Sequence, residues 1–146
     1  MSGELSEEHN SMFAMAADFA SQELSPHTLE WDQSKHFPVD VLRKAATLGM
    51  AGIYIRDDVG GSGLTRLDAV LLFEALSLGC SVIASFLSIH NMCSWVIDAY
   101  GSDAQRETWL PKLTSMELIA SYCLTEPACG SDAASLSTKA VKAGDD

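Results

Sequence analysis

The sequence predicts a mainly α-helical fold, with a bundle over roughly the first 115 residues and the opening strands of a β-sheet after it. Three observations carry this. Apolar residues recur at i, i+3 and i+4 through the first part of the chain, between Ser/Thr and Gly or Pro punctuation. A long stretch from Ala75 to Ile97 holds no charged residue, as a helix buried inside a bundle does. After residue 117 the pattern changes to a β-favouring run, 118–125, followed by Pro127 and Gly130. At 146 residues the chain suffices for one domain, or one domain and part of another.

The elements follow in order. Residues 5–22 place Met12, Met15, Ala16, Phe19 and Ala20 on one helical stripe, which reads as core packing, and Ser25-Pro26 stops the helix. Phe37-Pro38 starts the next, Pro suiting the first turn, and Val41, Leu42, Ala45 and Leu48 give its apolar face before Gly49. Asp57-Asp58-Val59-Gly60-Gly61-Ser62-Gly63 is a loop whose backbone glycine makes accessible. Thr65 with Asp68 resembles a capping box and opens a helix running towards Leu78. A long uncharged helix covers residues 81–100 and ends at Gly101. Ser102 with Gln105 caps a shorter one through Trp109. Strands are expected at 118–125 and 137–141, with a turn at Gly144-Asp145-Asp146.

Composition excludes several functions. Nine Lys+Arg against twenty Asp+Glu give a formal charge of −11, with the basic residues scattered. A surface that tracks phosphates needs them clustered, so neither nucleic acid nor an anionic membrane surface is an expected partner. The 75–97 stretch has the length of a membrane span, but Ser77, Ser81, Ser85, Ser88, Ser94, His90 and Asn91 make it too polar to face lipid. Cys80, Cys93, Cys123 and Cys129 form no C-x-x-C pair and read as reduced thiols. Nothing at the start of the chain reads as a signal or transit segment.

Few residues carry chemistry on their own. The Gly60-Gly61-Ser62-Gly63 loop lacks the Lys-Ser/Thr of a P-loop and reads as a tight turn. His90 has no second ligand at metal spacing and reads as a satisfied core or interface histidine; His9, His27 and His36 also lack the companions of a metal site. The segment from Tyr122 to Asp132 differs in kind. A strand end with free backbone N–H groups, Thr125, Ser131 and an aromatic Tyr122 can hydrogen-bond a flat heteroaromatic ring. The same residues can equally form a capped turn, with Ser131 and Asp132 satisfying local backbone.

Tyr122-Cys123-Leu124-Thr125-Glu126-Pro127 followed by Gly130-Ser131-Asp132 resembles the signature of acyl-CoA dehydrogenases. The likeness extends to Asp58-Val59-Gly60-Gly61-Ser62-Gly63-Leu64, Phe73-Glu74-Ala75-Leu76 and Ser88-Ile89-His90-Asn91-Met92-Cys93, so it covers nearly the whole chain. It implies an N-terminal helical domain over 1–116 and the start of a middle β-domain over 117–146. It also implies FAD as cofactor, a short branched acyl-CoA as substrate (isobutyryl-CoA to methacrylyl-CoA, in valine degradation), and an electron-transfer flavoprotein as electron acceptor. A homotetramer in the mitochondrial matrix is expected on the same ground.

By motif match, Tyr122, Cys123, Leu124, Thr125, Glu126, Pro127, Ala128, Cys129, Gly130 and Ser131 would line the FAD site. Leu124 would act through its backbone, Thr125 through its hydroxyl, and Ser131 would also meet the acyl-CoA. Ser85, Ser88 and Met92 share one helical face, and the matching helix of the family lies along the acyl chain; they can equally serve close helix packing. The catalytic base is expected in a C-terminal domain, so Glu126 is not assigned that role. The family commonly has Gly where this chain has Ala128 and a very small residue at Cys129. A left-handed backbone at 128 would cost Ala about 1–2 kcal/mol. The alternative readings are another short or branched-chain member of the same family and a non-catalytic helical module that binds a partner or acyl-CoA.

Overall fold

The computed structural model describes residues 5–144. Among these, six α-helices make the bundle: α1 Glu7–Phe19, α2 Thr28–Ser34, α3 Val39–Thr47, α4 Arg66–Ser77, α5 Ser81–Tyr100 and α6 Asp103–Thr114. α1 packs on α4, α4 on α5, and α5 on α6. Ala16, Phe19, Leu24, Leu42, Leu72, Leu76, Ile83 and Leu87 lie in the main core, with Met12 and Met15 packed against it. Trp109 is not the end of α6, as the sequence pattern suggests. The helix runs through Pro111 to Thr114, with Leu110 and Leu113 buried. Pro111 and Glu107 lie on the exposed side, where water can take the carbonyl that proline leaves without a donor.

Local chemistry sets the helix ends. Thr65 and Asp68 form the expected capping box on α4, and Ser102 and Gln105 form one on α6. A third, on α1, has histidine in the reciprocal place. Ser6 Oγ accepts from His9 N–H, and His9 Nδ1 accepts from Ser6 N–H. This leaves the His9 proton on Nε2, 3.1 Å from Asp68 Oδ1, and ties the start of α1 to the start of α4. The Asp68 carboxyl lies below its ordinary range, chiefly through the Thr65 hydroxyl and backbone N–H that it accepts. After α1 the chain widens into a π-helical turn, Ala20–Leu24, before Ser25-Pro26 stops it. α2 was not expected; it is short, with no buried residue and no side-chain cap to announce it.

Between α3 and α4, residues 50–55 are mostly buried without regular structure. Met50, Ala51, Ile53 and Ile55 are fully enclosed. Asn91 of α5, also fully buried, supplies their backbone partners: Oδ1 accepts from Ile53 N–H at 2.7 Å, and Nδ2 donates to Met50 O and Leu87 O at 2.9 Å each. The chain then turns back on itself. A Cβ at Gly61 would lie 2.1 Å from Ile55 O, so the close approach requires glycine. At the far end of α5, Asp98 Oδ1 accepts from the Nε groups of Arg56 and Arg106, both at 2.9 Å. Arg106 also grips both oxygens of Asp58. The network locks α5, α6 and the Asp57–Val59 turn together.

α5 is the one helix among the described residues long and apolar enough to cross a membrane. Its buried face carries His90, Asn91, Ser94 and Asp98, each partnered inside the protein, and it packs against α4 and α6 as the bundle reading requires. The expected strands at 118–125 and 137–141 are not formed. Among the described residues the only β pairing is the isolated bridge between Glu126 and Cys129. A strand needs the N–H and C=O groups of a neighbour, and no described segment lies alongside to offer them. Of the expected terminal turn, residues 145 and 146 lie outside the described residues.

Candidate functional site

The chain leaves the bundle at Met116, which is buried with φ of 57°. Arg43 Nε donates to its carbonyl at 3.3 Å. Two further contacts direct the departing arm. Leu118 N–H donates to Lys112 O at 3.0 Å, and Ala120 N–H donates to His90 Nδ1 at 3.1 Å. His90 is fully buried, and its Nε2 lies 3.0 Å from Leu113 O. With Nδ1 accepting, the proton sits on Nε2 and the ring is neutral. Burial pushes its pKa down, and the hydrogen bond to Leu113 O opposes this only in part. The sequence reading of a satisfied interface histidine holds. Its grip on the arm was not foreseen, because Ala120 donates through backbone and leaves no mark in the sequence.

Beyond Ala120 the arm, residues 121–125, has no regular secondary structure. Tyr122 is 53% exposed, Ser121, Cys123 and Thr125 are exposed, and Leu124 is half-buried. Among the described residues, the N–H groups of 121–125 and the Thr125 hydroxyl donate to no protein acceptor. The arm passes α5 near Cys93. Burial pushes the Cys93 thiol upward, and the Cys123 thiol adds to the effect.

A closed loop follows. Glu126 and Cys129 exchange both backbone hydrogen bonds, at 2.9 and 3.1 Å, around a turn with Pro127 and Ala128 at its tip. Ala128 is not among the residues with positive φ, so the left-handed strain considered for it does not arise in this turn. Cys129 is buried, its Sγ 2.9 Å from Asp132 O. Gly130 has nothing within 4 Å of where a Cβ would sit, and Ser131 is exposed. Glu126 faces inward along the loop. One carboxylate oxygen accepts from Ser137 N–H at 2.9 Å and Ser137 Oγ at 2.7 Å. The other accepts from Thr138 N–H at 2.8 Å and from the Thr138 hydroxyl. The Thr138 hydroxyl first, then the Ser137 groups and the Thr138 N–H, lower its pKa to about 2. A general base works best with a pKa near the operating pH, and these four donors pull Glu126 away from it.

Ser85, Ser88 and Met92 lie on one side of α5, as their spacing requires. Ser85 is exposed, Ser88 and Met92 are half-buried, and the Ser88 hydroxyl donates to Ser85 O at 2.8 Å. Ser85 sits about 12 Å along the helix axis from Cys93, where the arm passes, whereas Met92 directly precedes Cys93. Near the start of α5, Trp31, Phe37, Val82 and Ile83 border a groove of about 650 Å³ that no sequence motif announced. No group of three or more His, Cys, Asp or Glu side chains among the described residues is placed to hold a metal ion.

The arm thus offers backbone N–H groups and a hydroxyl that meet no acceptor among the described residues, beside a loop held by the Glu126 carboxylate. This fits the polar edge of a flat heteroaromatic ring such as a flavin. The family "Acyl-CoA dehydrogenase, N-terminal domain" matches residues 6–117. Mitochondrial isobutyryl-CoA dehydrogenase of Bos taurus is 55% identical over 141 residues, covering 97% of this chain and 34% of that one. A structure described as the electron transferring flavoprotein of Acidaminococcus fermentans superposes with a TM-score of 0.90 at 30% identity, over 99% of this chain and 38% of that one. An acyl-CoA dehydrogenase from Bacillus anthracis complexed with FAD does so with a TM-score of 0.83 at 31% identity, over 92% and 23%. The chain spans about a third of the length of the relative from Bos taurus. With its bundle, its signature loop and the family match all in agreement, it belongs to the acyl-CoA dehydrogenases.

Proposed function

We propose that this chain forms the N-terminal part of an FAD-dependent acyl-CoA dehydrogenase that oxidises a short branched acyl-CoA, isobutyryl-CoA to methacrylyl-CoA. The observation that carries the reading is the arm at 121–125, with its unpaired N–H groups and Thr125 hydroxyl held beside α5. Support for the substrate comes from the relative 55% identical over 97% of the chain, which is named for isobutyryl-CoA. When bound, FAD supplies the hydride-accepting chemistry. The work of these residues is to orient. Leu124 N–H and the Thr125 hydroxyl would hold the polar edge of the ring, and the open backbone at Gly130 leaves room for a close approach. Ser131, exposed at the loop edge, would meet the acyl-CoA. Ser85, Ser88 and Met92 would line the acyl chain; Ser85 lies open, which does not favour the close helix packing that was the other reading of these residues.

The same reading divides the chain into a helical domain over 1–116 and the start of a β-domain over 117–146. It places the protein with its mitochondrial relatives, as a homotetramer passing electrons to an electron-transfer flavoprotein. The test is Thr125→Val in the full-length protein, which keeps the side chain's shape and removes its hydroxyl. A shifted flavin spectrum and weaker FAD binding are expected, since a single hydrogen bond contributes about 0.5–1.5 kcal/mol. An unchanged spectrum and affinity would show that the threonine does not meet the flavin.

A further inference from the structure

Glu126 stands inside the signature loop, yet its carboxylate is fully engaged by its own chain. An ionised carboxylate offers about four lone-pair positions. Here four donors fill them, two on each oxygen: the backbone N–H and hydroxyl of Ser137, and the backbone N–H and hydroxyl of Thr138. No acceptor position remains for a ligand. The segment between the clamp's ends is otherwise tied by the Glu126–Cys129 bridge, the Cys129 Sγ contact to Asp132 O, the Ser135 hydroxyl on Asp132 and the short Ala133–Ser135 turn, and residues 131–140 are exposed throughout. Thr125 directly precedes the clamp, and Gly130 and Ser131 lie within the loop it closes.

We propose that Glu126 is a positioning residue which, by clamping Ser137 and Thr138, fixes the loop that presents Thr125, Gly130 and Ser131 to the flavin, without touching the flavin itself. The proposal rests on the reading of the arm and loop as an FAD site. Only a carboxylate satisfies this clamp. A glutamine in its place would turn an NH₂ group towards a backbone N–H on one side, and an aspartate would be a methylene too short to reach both residues. Its pKa of about 2 keeps the clamp charged across the physiological range, so it holds the loop constantly and does not switch with pH.

The test uses the full-length enzyme and reads the FAD dissociation constant and the visible flavin spectrum. Variants are Glu126→Gln, the pair Ser137→Ala with Thr138→Val, all three together, and Thr125→Val as the reference for direct contact. Glu126→Gln is expected to weaken FAD binding by roughly tenfold, a size in keeping with lost hydrogen bonds to a charged group. The Ser137/Thr138 pair should weaken it by a smaller factor, since both backbone N–H donors remain, and the triple variant should go no further than Glu126→Gln. An additive triple variant means that Glu126 meets the flavin directly and overturns the proposal. Wild-type affinity and spectrum for Glu126→Gln, with Thr125→Val altered, overturn the proposal and leave the FAD reading standing. If Thr125→Val is also silent, the reading falls and the proposal with it. Should Glu126→Gln not fold, the Ser137/Thr138 pair decides alone, and wild-type FAD affinity in that pair refutes the clamp.

Discussion

Lowering the pH from about 7 towards 5 should loosen this protein through His90. The imidazole is neutral and fully enclosed, donating from Nε2 to Leu113 O and accepting at Nδ1 from Ala120 N–H. Its pKa lies below the ordinary 6.5, because burial disfavours the charged form more than the Leu113 carbonyl favours it. The sign follows from linkage. Below about 6.5 the unfolded chain binds a proton that the folded one refuses, so stability is complete above that pH and falls as the pH drops. The fall is about 1.4 kcal/mol per pH unit until the folded ring takes its own proton. Protonation also converts Nδ1 from acceptor to donor and expels Ala120 N–H, so the arm is released first.

The assay is urea unfolding of the 146-residue chain at pH 7.5, 6.5 and 5.5, followed by tryptophan fluorescence and compared with His90→Gln. The glutamine amide can still donate to Leu113 O but does not titrate. It should lower stability at pH 7.5 by about 1 kcal/mol for the lost acceptor, and flatten the slope between 6.5 and 5.5. Other histidines contribute equally to both proteins and cancel in the difference. Asp98 acts in a separate window. Burial alone would raise its carboxyl, but the Arg56 N–H, Arg106 and the Arg56 side chain outweigh this and hold it below its ordinary 3.8. Its contribution is therefore present above about 3.8 and lost only as the pH falls further. Equal slopes for wild type and His90→Gln would refute the argument.

Other outcomes can be checked on the same chain. Asn91→Leu leaves Ile53 N–H and Met50 O buried without partners and should cost about 2–6 kcal/mol in urea unfolding, since each such group costs about 1–3. Gly61→Ala drives a Cβ to 2.1 Å from Ile55 O and should lower the melting temperature sharply. Gly130→Ala meets nothing within 4 Å and should leave the melting temperature unchanged, while weakening FAD binding in the full-length protein if the ring approaches there.

The helices were legible because their signals are local. The capping boxes at Thr65 and Ser102 and the apolar stripes each lie within a few residues of what they specify. Where the structure departs from the pattern, the cause lies elsewhere in the chain. His9 caps α1 in a role normally taken by Glu or Gln, and does so while reaching Asp68 across the bundle. α2 buries nothing and so has no stripe to read. The buried run at 50–55 finds its backbone partner in a side chain on α5, Asn91.

The signature loop shows the same division. Its composition pointed to β structure at 118–125, but no strand forms there, and among the described residues only Leu118 and Ala120 are anchored to the bundle through backbone N–H groups. A helix satisfies its own backbone, so its sequence can specify it alone. An extended segment leaves its N–H and C=O groups for something else to meet, and its sequence states a propensity without naming the partner. That incompleteness is also what makes the arm useful. Donors already spent in a helix could not bind a ring, whereas those of 121–125 remain available beside Thr125. The adjoining loop needs the opposite property, and Glu126 provides it by drawing four donors from eleven and twelve residues away. A free edge next to a fully satisfied clamp is an arrangement suited to holding a planar cofactor in one orientation.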